Sequence, residues 1–208
     1  MTKHITILAE DTSGDVYASW VIKKLRAKKI DFSCDGIAGD LARREGMTLW
    51  IHNSSMNFMG MTQVIANASK IRTVWRLILD NLNKKKPDLL ILIDYPGFNL
   101  KVAEYAKRKN IKVFWFIAPQ IWAWNESRIK KIKKYVDRMY AVLPFEKEYF
   151  KSKSYNVKYF GHPLSQIIDK RKYINQNKKK IISLFPGSRK QEIKKMLPEM
   201  LKLVKHFR

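Results

Sequence analysis

The chain has 208 residues, 46% apolar and 12% aromatic, with 42 Lys and Arg against 18 Asp and Glu, a formal net charge of +24. Such apolar and aromatic content excludes a disordered chain, no run approaches the roughly 18 uninterrupted apolar residues of a membrane span, and the first apolar stretch (5–9) is far too short for a signal peptide. The basic excess points to an anionic partner or surface, although Lys abounds throughout alongside Asn and Ile, as compositional drift of a genome would also produce.

Strand and helix patterns alternate from the start. Residues 5–9 read as a buried strand, and Asp11-Thr12-Ser13-Gly14-Asp15 carries turn and helix-cap chemistry. Val16, Trp20, Val21 and Leu25 recur at helical spacing. A second strand over 32–37 ends on Gly36-Ile37-Ala38-Gly39 and includes the single cysteine, Cys34, expected as a buried small hydrophobe in a reducing compartment. A short helix near 41–45, a strand near 48–51 and a long helix over 63–83 follow. The continuous apolar run inside 88–94 predicts a central parallel strand buried on both faces.

Further along, the pattern predicts a helix over 100–109, a strand over 113–117, a helix over 126–134 and a strand over 138–143. A helix over 145–151 and a strand over 157–160 complete the series. This alternation argues an α/β fold, a Rossmann-like doubly wound parallel sheet, over 1–168. Residues 169–180 are polar, rich in Lys and Asn and without periodicity, and read as a linker. Residues 181–185 are expected to open a new sheet, followed by a turn at Pro186-Gly187-Ser188-Arg189 and a helix to Arg208. One strand and one helix cannot bury a core, so the chain reads as a front domain plus the start of a second, a fragment or half of a split protein.

In an open parallel sheet, ligands sit beyond the carboxyl ends of the strands. After the first strand, Ser13, Gly14 and Asp15 open a helix whose N–H groups suit an anion or a sugar hydroxyl, or simply cap it. After the long strand, Asp94 is placed as a general base for a hydroxyl, or as a cap of the next helix. In Pro119-Gln120-Ile121-Trp122-Ala123-Trp124 the two indoles can stack on a sugar, line an acyl groove or belong to the core, with Arg128 placed to meet a phosphate.

Phe58-Met59-Gly60-Met61 suits acyl or membrane contact or a buried loop. His162, in Gly161-His162-Pro163-Leu164, is a ligand contact or a turn residue. Gly187 permits close backbone approach, Ser188 caps, and Arg189 can pair with a diphosphate. Neither Gly-x-x-x-x-Gly-Lys nor Gly-x-Gly-x-x-Gly occurs, and the four His have no ligand spacing, so neither a dinucleotide cofactor nor a metal is expected.

Taken in order, these stretches resemble the lipid-A-disaccharide synthase family, bacterial glycosyltransferases of the lipopolysaccharide pathway. The matching segments are Thr12-Ser13-Gly14-Asp15, Gly36-Ile37-Ala38-Gly39, Met59-Gly60 with Gln63-Val64, and Ile93-Asp94-Tyr95-Pro96 with Phe98-Asn99. They continue with Ala118-Pro119-Gln120-Ile121-Trp122-Ala123-Trp124, Leu143-Pro144-Phe145-Glu146, Gly161-His162-Pro163-Leu164 and Pro186-Gly187-Ser188-Arg189 with Glu192-Ile193. The Pro-Gln-Ile-Trp-Ala-Trp run is the most specific.

The resemblance implies a GT-B fold, two Rossmann-like domains facing one cleft. Residues 1–168 then form the acceptor-binding domain and 181–208 the start of the nucleotide-sugar domain. The implied reaction transfers the sugar of UDP-2,3-diacylglucosamine to the 6-hydroxyl of 2,3-diacylglucosamine 1-phosphate (lipid X), releasing UDP with inversion and using no cofactor. Asp94 matches the family's candidate general base, and Arg189 an arginine needed for activity. Ser13, Gly14, Asp15, Met59, Gly60, Gln63, Asn99, Pro119, Gln120, Trp122, Trp124, Arg128, His162, Gly187, Ser188 and Glu192 fall at substrate-binding positions.

The resemblance further implies a cytoplasmic protein, peripheral on the anionic inner face of the cytoplasmic membrane, with no nucleic-acid partner, and a homodimer when full length. The competing reading is a non-catalytic basic module for nucleic acid or anionic surfaces. Two departures stand out. Glu10 and Asp11 occupy the places of the family's usual Gly-Glu, so Glu10 must find an ordinary backbone conformation where glycine is free to turn left-handed. The family also runs to roughly double this length, which predicts incomplete activity for this chain alone.

Overall fold

The alternation of apolar strand and amphipathic helix closes into one parallel sheet. In the computed structural model, which describes residues 2–56, 68–165, 181–187 and 190–204, the strands are β1 (Lys3–Leu8), β2 (Phe32–Ala38), β3 (Thr48–His52), β4 (Leu89–Ile93), β5 (Lys112–Phe116), β6 (Arg138–Ala141) and β7 (Lys158–Tyr159). They pair in the order β3-β2-β1-β4-β5-β6-β7, all parallel. Parallel neighbours need a crossover between them, and the helices supply it: α1 (Thr12–Ala27), α2 (Asp40–Arg44), α3 (Ala68–Lys85), α4 (Pro96–Arg108), α5 (Ile129–Tyr135) and α6 (Pro144–Ser152).

β4 shows why its run is apolar without interruption. Ile91 and Ile93 join Ala18 and Ile22 of α1 in one buried cluster, while Leu90 and Leu92 join Ile78 of α3, Ala103 of α4 and Phe150 of α6 in the other. Successive side chains leave opposite faces of a strand, so helices on both sides demand apolar residues at every position. The same logic buries Cys34 of β2 beside Ile5 and Ala18. Burial, reinforced by the neighbouring Asp35 charge, pushes its thiol up to about 12, so it behaves as a small hydrophobe.

Several boundaries differ from the sequence expectation: β6 stops at Ala141 where a strand to 143 is expected, α6 already starts at Pro144, and β7 is shorter than the expected 157–160. α4 starts at Pro96 rather than near residue 100, because proline presets the helical φ at the first position, where its missing N–H costs nothing. β4 therefore ends at Ile93, and Asp94 falls in a turn. The expected helix over 126–134 divides into a 3-10 turn, Glu126–Arg128, and α5.

The chain divides into two units, Met1–Ile168 and Asp169–Arg208. In the second, the expected strand over 181–185 forms no ladder among the described residues, and Lys190–Val204 is helical (α7). The segments 57–67 and 169–180, where a loop, a helix start and a linker are expected, lie outside the described residues.

Candidate active site

The strand order turns back between β1 and β4: β2 and β3 lie on one side of β1, and β5 to β7 beyond β4. At such a switch point the loops leaving the carboxyl ends part and open a crevice. Those loops hold Glu10 and Asp11 after β1, Asp94 and Tyr95 after β4, and the Trp segment after β5.

Asp11, not Ser13, caps α1. Its carboxylate accepts the Gly14 N–H at 2.6 Å, and the exposed Ser13 hydroxyl turns back to donate to it at 3.0 Å. Asn53 Nδ2 holds the Asp11 carbonyl at 2.8 Å, fixing the turn from outside. Asp15 is buried and committed to the fold, accepting the N–H groups of Gly39, Leu41 and Ala42 at 2.9–3.0 Å. That approach requires a glycine at 39, where a Cβ would lie 2.5 Å from Asp15 Oδ2.

Asp94 and Tyr95 are both left-handed, each with φ 51°, a strained conformation of the kind that gathers at functional sites. Burial, with the Asp11 charge adding to it, raises the Asp94 carboxyl above its usual range. A carboxylate drawn toward neutrality is a stronger base for a hydroxyl. Asn99, fully buried, donates through Nδ2 to the Asp94 carbonyl at 3.0 Å and to Glu10 Oε2 at 3.2 Å.

Glu10 is not among the residues with positive φ, so it fits the position without left-handed strain. Burial above all, with Asp11 and Asp94 adding to it, pushes its carboxyl up to about 8. The Tyr17 phenol lies in the field of both Asp11 and Asp94 and is raised mainly by burial.

After β5 the chain turns through Ile117, a β-branched residue at φ 67°, which is an outlier for its type. Pro119 and Ile121 are buried and Gln120 is exposed, while Trp122 and Trp124 remain 38% and 56% exposed. Trp122 packs edge-on against Phe145 at 4.9 Å and donates its indole N–H to Glu146 Oε1 at 3.2 Å. The Arg128 guanidinium lies 4.3 Å over the Trp124 ring. Both indoles thus present apolar faces outside the core, each anchored at one side.

The remaining candidates fall elsewhere. His162 is a turn residue whose Nδ1 accepts the Leu164 N–H at 3.2 Å and whose carbonyl accepts from Ser165. In the second unit Gly187 is left-handed at φ 97°, and a Cβ there would lie 2.5 Å from Glu192 Oε2. Met59, Gly60, Gln63, Ser188 and Arg189 lie outside the described residues. Among the described residues, no group of three His, Cys, Asp or Glu side chains is arranged to hold a metal ion, and no helix is long and apolar enough to cross a membrane.

Sequence reasoning passed over Glu10, Asp11, Tyr17 and Glu146 as site residues. For Glu146 a signal existed: a Glu at the third helical position after the Leu143-Pro144 boundary has capping-box spacing. Tyr17 gave none, being one of two aromatics on α1 beside Trp20.

The family model of lipid-A-disaccharide synthetase matches residues 5–208. A lipid-A-disaccharide synthase of Trichlorobacter lovleyi is 35% identical over 96% of this chain and 54% of its own length. That of Coxiella burnetii is 35% identical over 96% and 55%, and lipid-A-disaccharide synthase 1 of Legionella pneumophila 37% identical over 97% and 55%. The chain spans about half the length of the curated relatives it matches.

Proposed function

The chain belongs to the lipid-A-disaccharide synthetase family, and on that premise we propose that it is the acceptor-side half of an inverting glycosyltransferase. The donor is UDP-2,3-diacylglucosamine and the acceptor 2,3-diacylglucosamine 1-phosphate. Asp94 takes the proton of the acceptor 6-hydroxyl as that oxygen bonds to the donor anomeric carbon. The bond from that carbon to the diphosphate breaks, and UDP leaves with the electron pair. Residues 1–168 bind the acceptor, 169–180 link, and 181–208 begin the nucleotide-sugar domain, where Arg189 pairs with the donor diphosphate.

The observation that carries this reading is the Asp94 carboxyl at the sheet's switch point, fixed by backbone and raised by burial. Trp122 and Trp124 offer apolar faces to the acyl chains or sugar, and Arg128 brings a cation beside them. Exposed Phe145, Phe160 and Leu164, together with the +24 charge, suit peripheral binding at the anionic inner face of the cytoplasmic membrane. The test is disaccharide formation from the two acylated sugars by the protein at the full length of its relatives, with and without the Asp94 carboxylate. Transfer that survives without that carboxylate would remove Asp94 from the mechanism.

A further inference from the structure

Glu10 takes no part in the reaction proposed above, yet it is 3% exposed at the carboxyl end of a central strand, and its Oε1 has no hydrogen-bond partner. It faces Asn99, 0% exposed, whose Oδ1 is likewise without a partner. The Asn99 amide nitrogen is engaged twice, with Glu10 Oε2 at 3.2 Å and with the Asp94 carbonyl at 3.0 Å. One carboxamide thus ties the end of β1 to the turn that carries Asp94. That turn is left-handed at two successive non-glycine residues, a conformation that persists only where its surroundings over-determine it.

Two buried acceptors left empty on facing side chains share one remedy, a proton on Glu10. A neutral carboxyl carries one O–H. An acid opposite a carboxamide can then make two bonds, acid O–H to amide oxygen and amide N–H to acid carbonyl. Ionised, Glu10 keeps the Asn99 N–H bond, which favours its charged form, but leaves Asn99 Oδ1 empty and sets a further negative charge beside Asp11 at the start of α1 and Asp94 after β4, the charged groups felt at this position. Low dielectric magnifies both costs.

We propose that Glu10 is a positioning residue for Asp94: a neutral acid that holds the Asp94 turn through two hydrogen bonds with the Asn99 carboxamide and keeps only one of them on ionising. The bearing of this lock on catalysis rests on the reading of Asp94 as base; the lock itself does not.

The test reads the lock directly in this chain. The Asn99 side-chain NH2 signals are followed by 15N NMR between about pH 6 and 9, with the Asp94 carboxyl carbon titrated in parallel, in the unchanged chain, Glu10→Gln and Glu10→Leu. The unchanged chain is expected to show Asn99 NH2 signals that shift as Glu10 ionises and its O–H bond to Asn99 Oδ1 is lost. Glu10→Gln, which keeps both hydrogen bonds at any pH, shows signals that stay in place throughout. Glu10→Leu shows Asn99 signals without this pH-dependence and shifts the Asp94 titration.

Asn99 signals unchanged to the alkaline limit, or a Glu10 carboxyl titrating in the ordinary acid range, overturn the lock. An Asp94 titration identical in Glu10→Leu and the unchanged chain overturns the positioning role. Should Glu10→Leu fail to fold, the pH-dependence of Asn99 in the unchanged chain against Glu10→Gln still decides. None of these signals depends on turnover, so failure of the glycosyltransferase reading shows separately.

Discussion

The Trp122 indole and the Glu146 carboxylate are joined by a 3.2 Å hydrogen bond, and the other oxygen of Glu146 accepts the N–H groups of Val142 and Leu143 at 3.1 and 3.0 Å. The segment after β5 is thereby pinned to the amino-terminal end of α6. A carboxylate with no exposed surface is tolerable there because donors meet both of its oxygens.

Removing that carboxylate strands three donors at once. Glu146→Ala is expected to lower stability by roughly 2–4 kcal/mol, the scale of buried donors left unsatisfied. Trp122 fluorescence in the folded protein should shift to the red as the ring loosens. Urea denaturation with fluorescence checks both, and a change within error of zero would mean that water replaces the carboxylate.

For Asp94 as the proposed base, Asp94→Asn in the protein at the relatives' full length is expected to lower turnover by at least about 100-fold, the scale of general-base loss. The substitution removes the charge while nearly preserving shape, so folding should survive. Circular dichroism beside the transfer assay separates the two effects.

Glu10 sets a pH-dependence whose sign follows from its raised carboxyl, from the ordinary 4.5 to about 8. The folded state keeps this proton where the unfolded state has lost it. The neutral form's contribution is fully present below 4.5 and is lost as pH rises to 8. Denaturation midpoints of the unchanged chain and Glu10→Gln should therefore diverge across that window, to the disadvantage of the unchanged chain and by up to a few kcal/mol. Asp94, shifted in the same direction, is common to both proteins and cancels in the difference. Parallel curves would show that Glu10 is ionised in the fold.

At the membrane, flotation with anionic liposomes is expected to carry the protein upward at low salt, and less so as salt screens the +24 charge. Trp124→Ala, removing an apolar face under Arg128, should weaken the salt-resistant remainder. Equal flotation with neutral lipid at any salt would discard the electrostatic part.

The sheet was legible because its cause is local and repeated. A run such as Leu89–Ile93 has no polar face to offer solvent, so a central parallel strand follows directly. Candidate positions at strand ends were legible for the same reason, as Asp94 and the Trp segment illustrate. The division of labour within each loop was not legible.

Asp11 and Asp15 are alike as residues, yet one caps its own helix while the other reaches across to the Gly39 turn, a choice made by tertiary distance. The left-handed backbone at Asp94, Tyr95 and Ile117 runs against the preferences of those residues, and only the packed structure enforces it. Glu10 was noticed as a substitution, but its burial against Asn99 joins positions 89 residues apart.

Among the described residues β7 bounds the sheet with two residues, pairing only Tyr140 with Lys158 and Ala141 with Tyr159. A foreign chain seeking to extend the sheet by strand addition meets few backbone donors and acceptors there, and an exposed lysine among them. On that side the protein is poorly templated for edge-to-edge polymerisation, which matters for a chain that exposes Trp122, Trp124, Phe145 and Phe160.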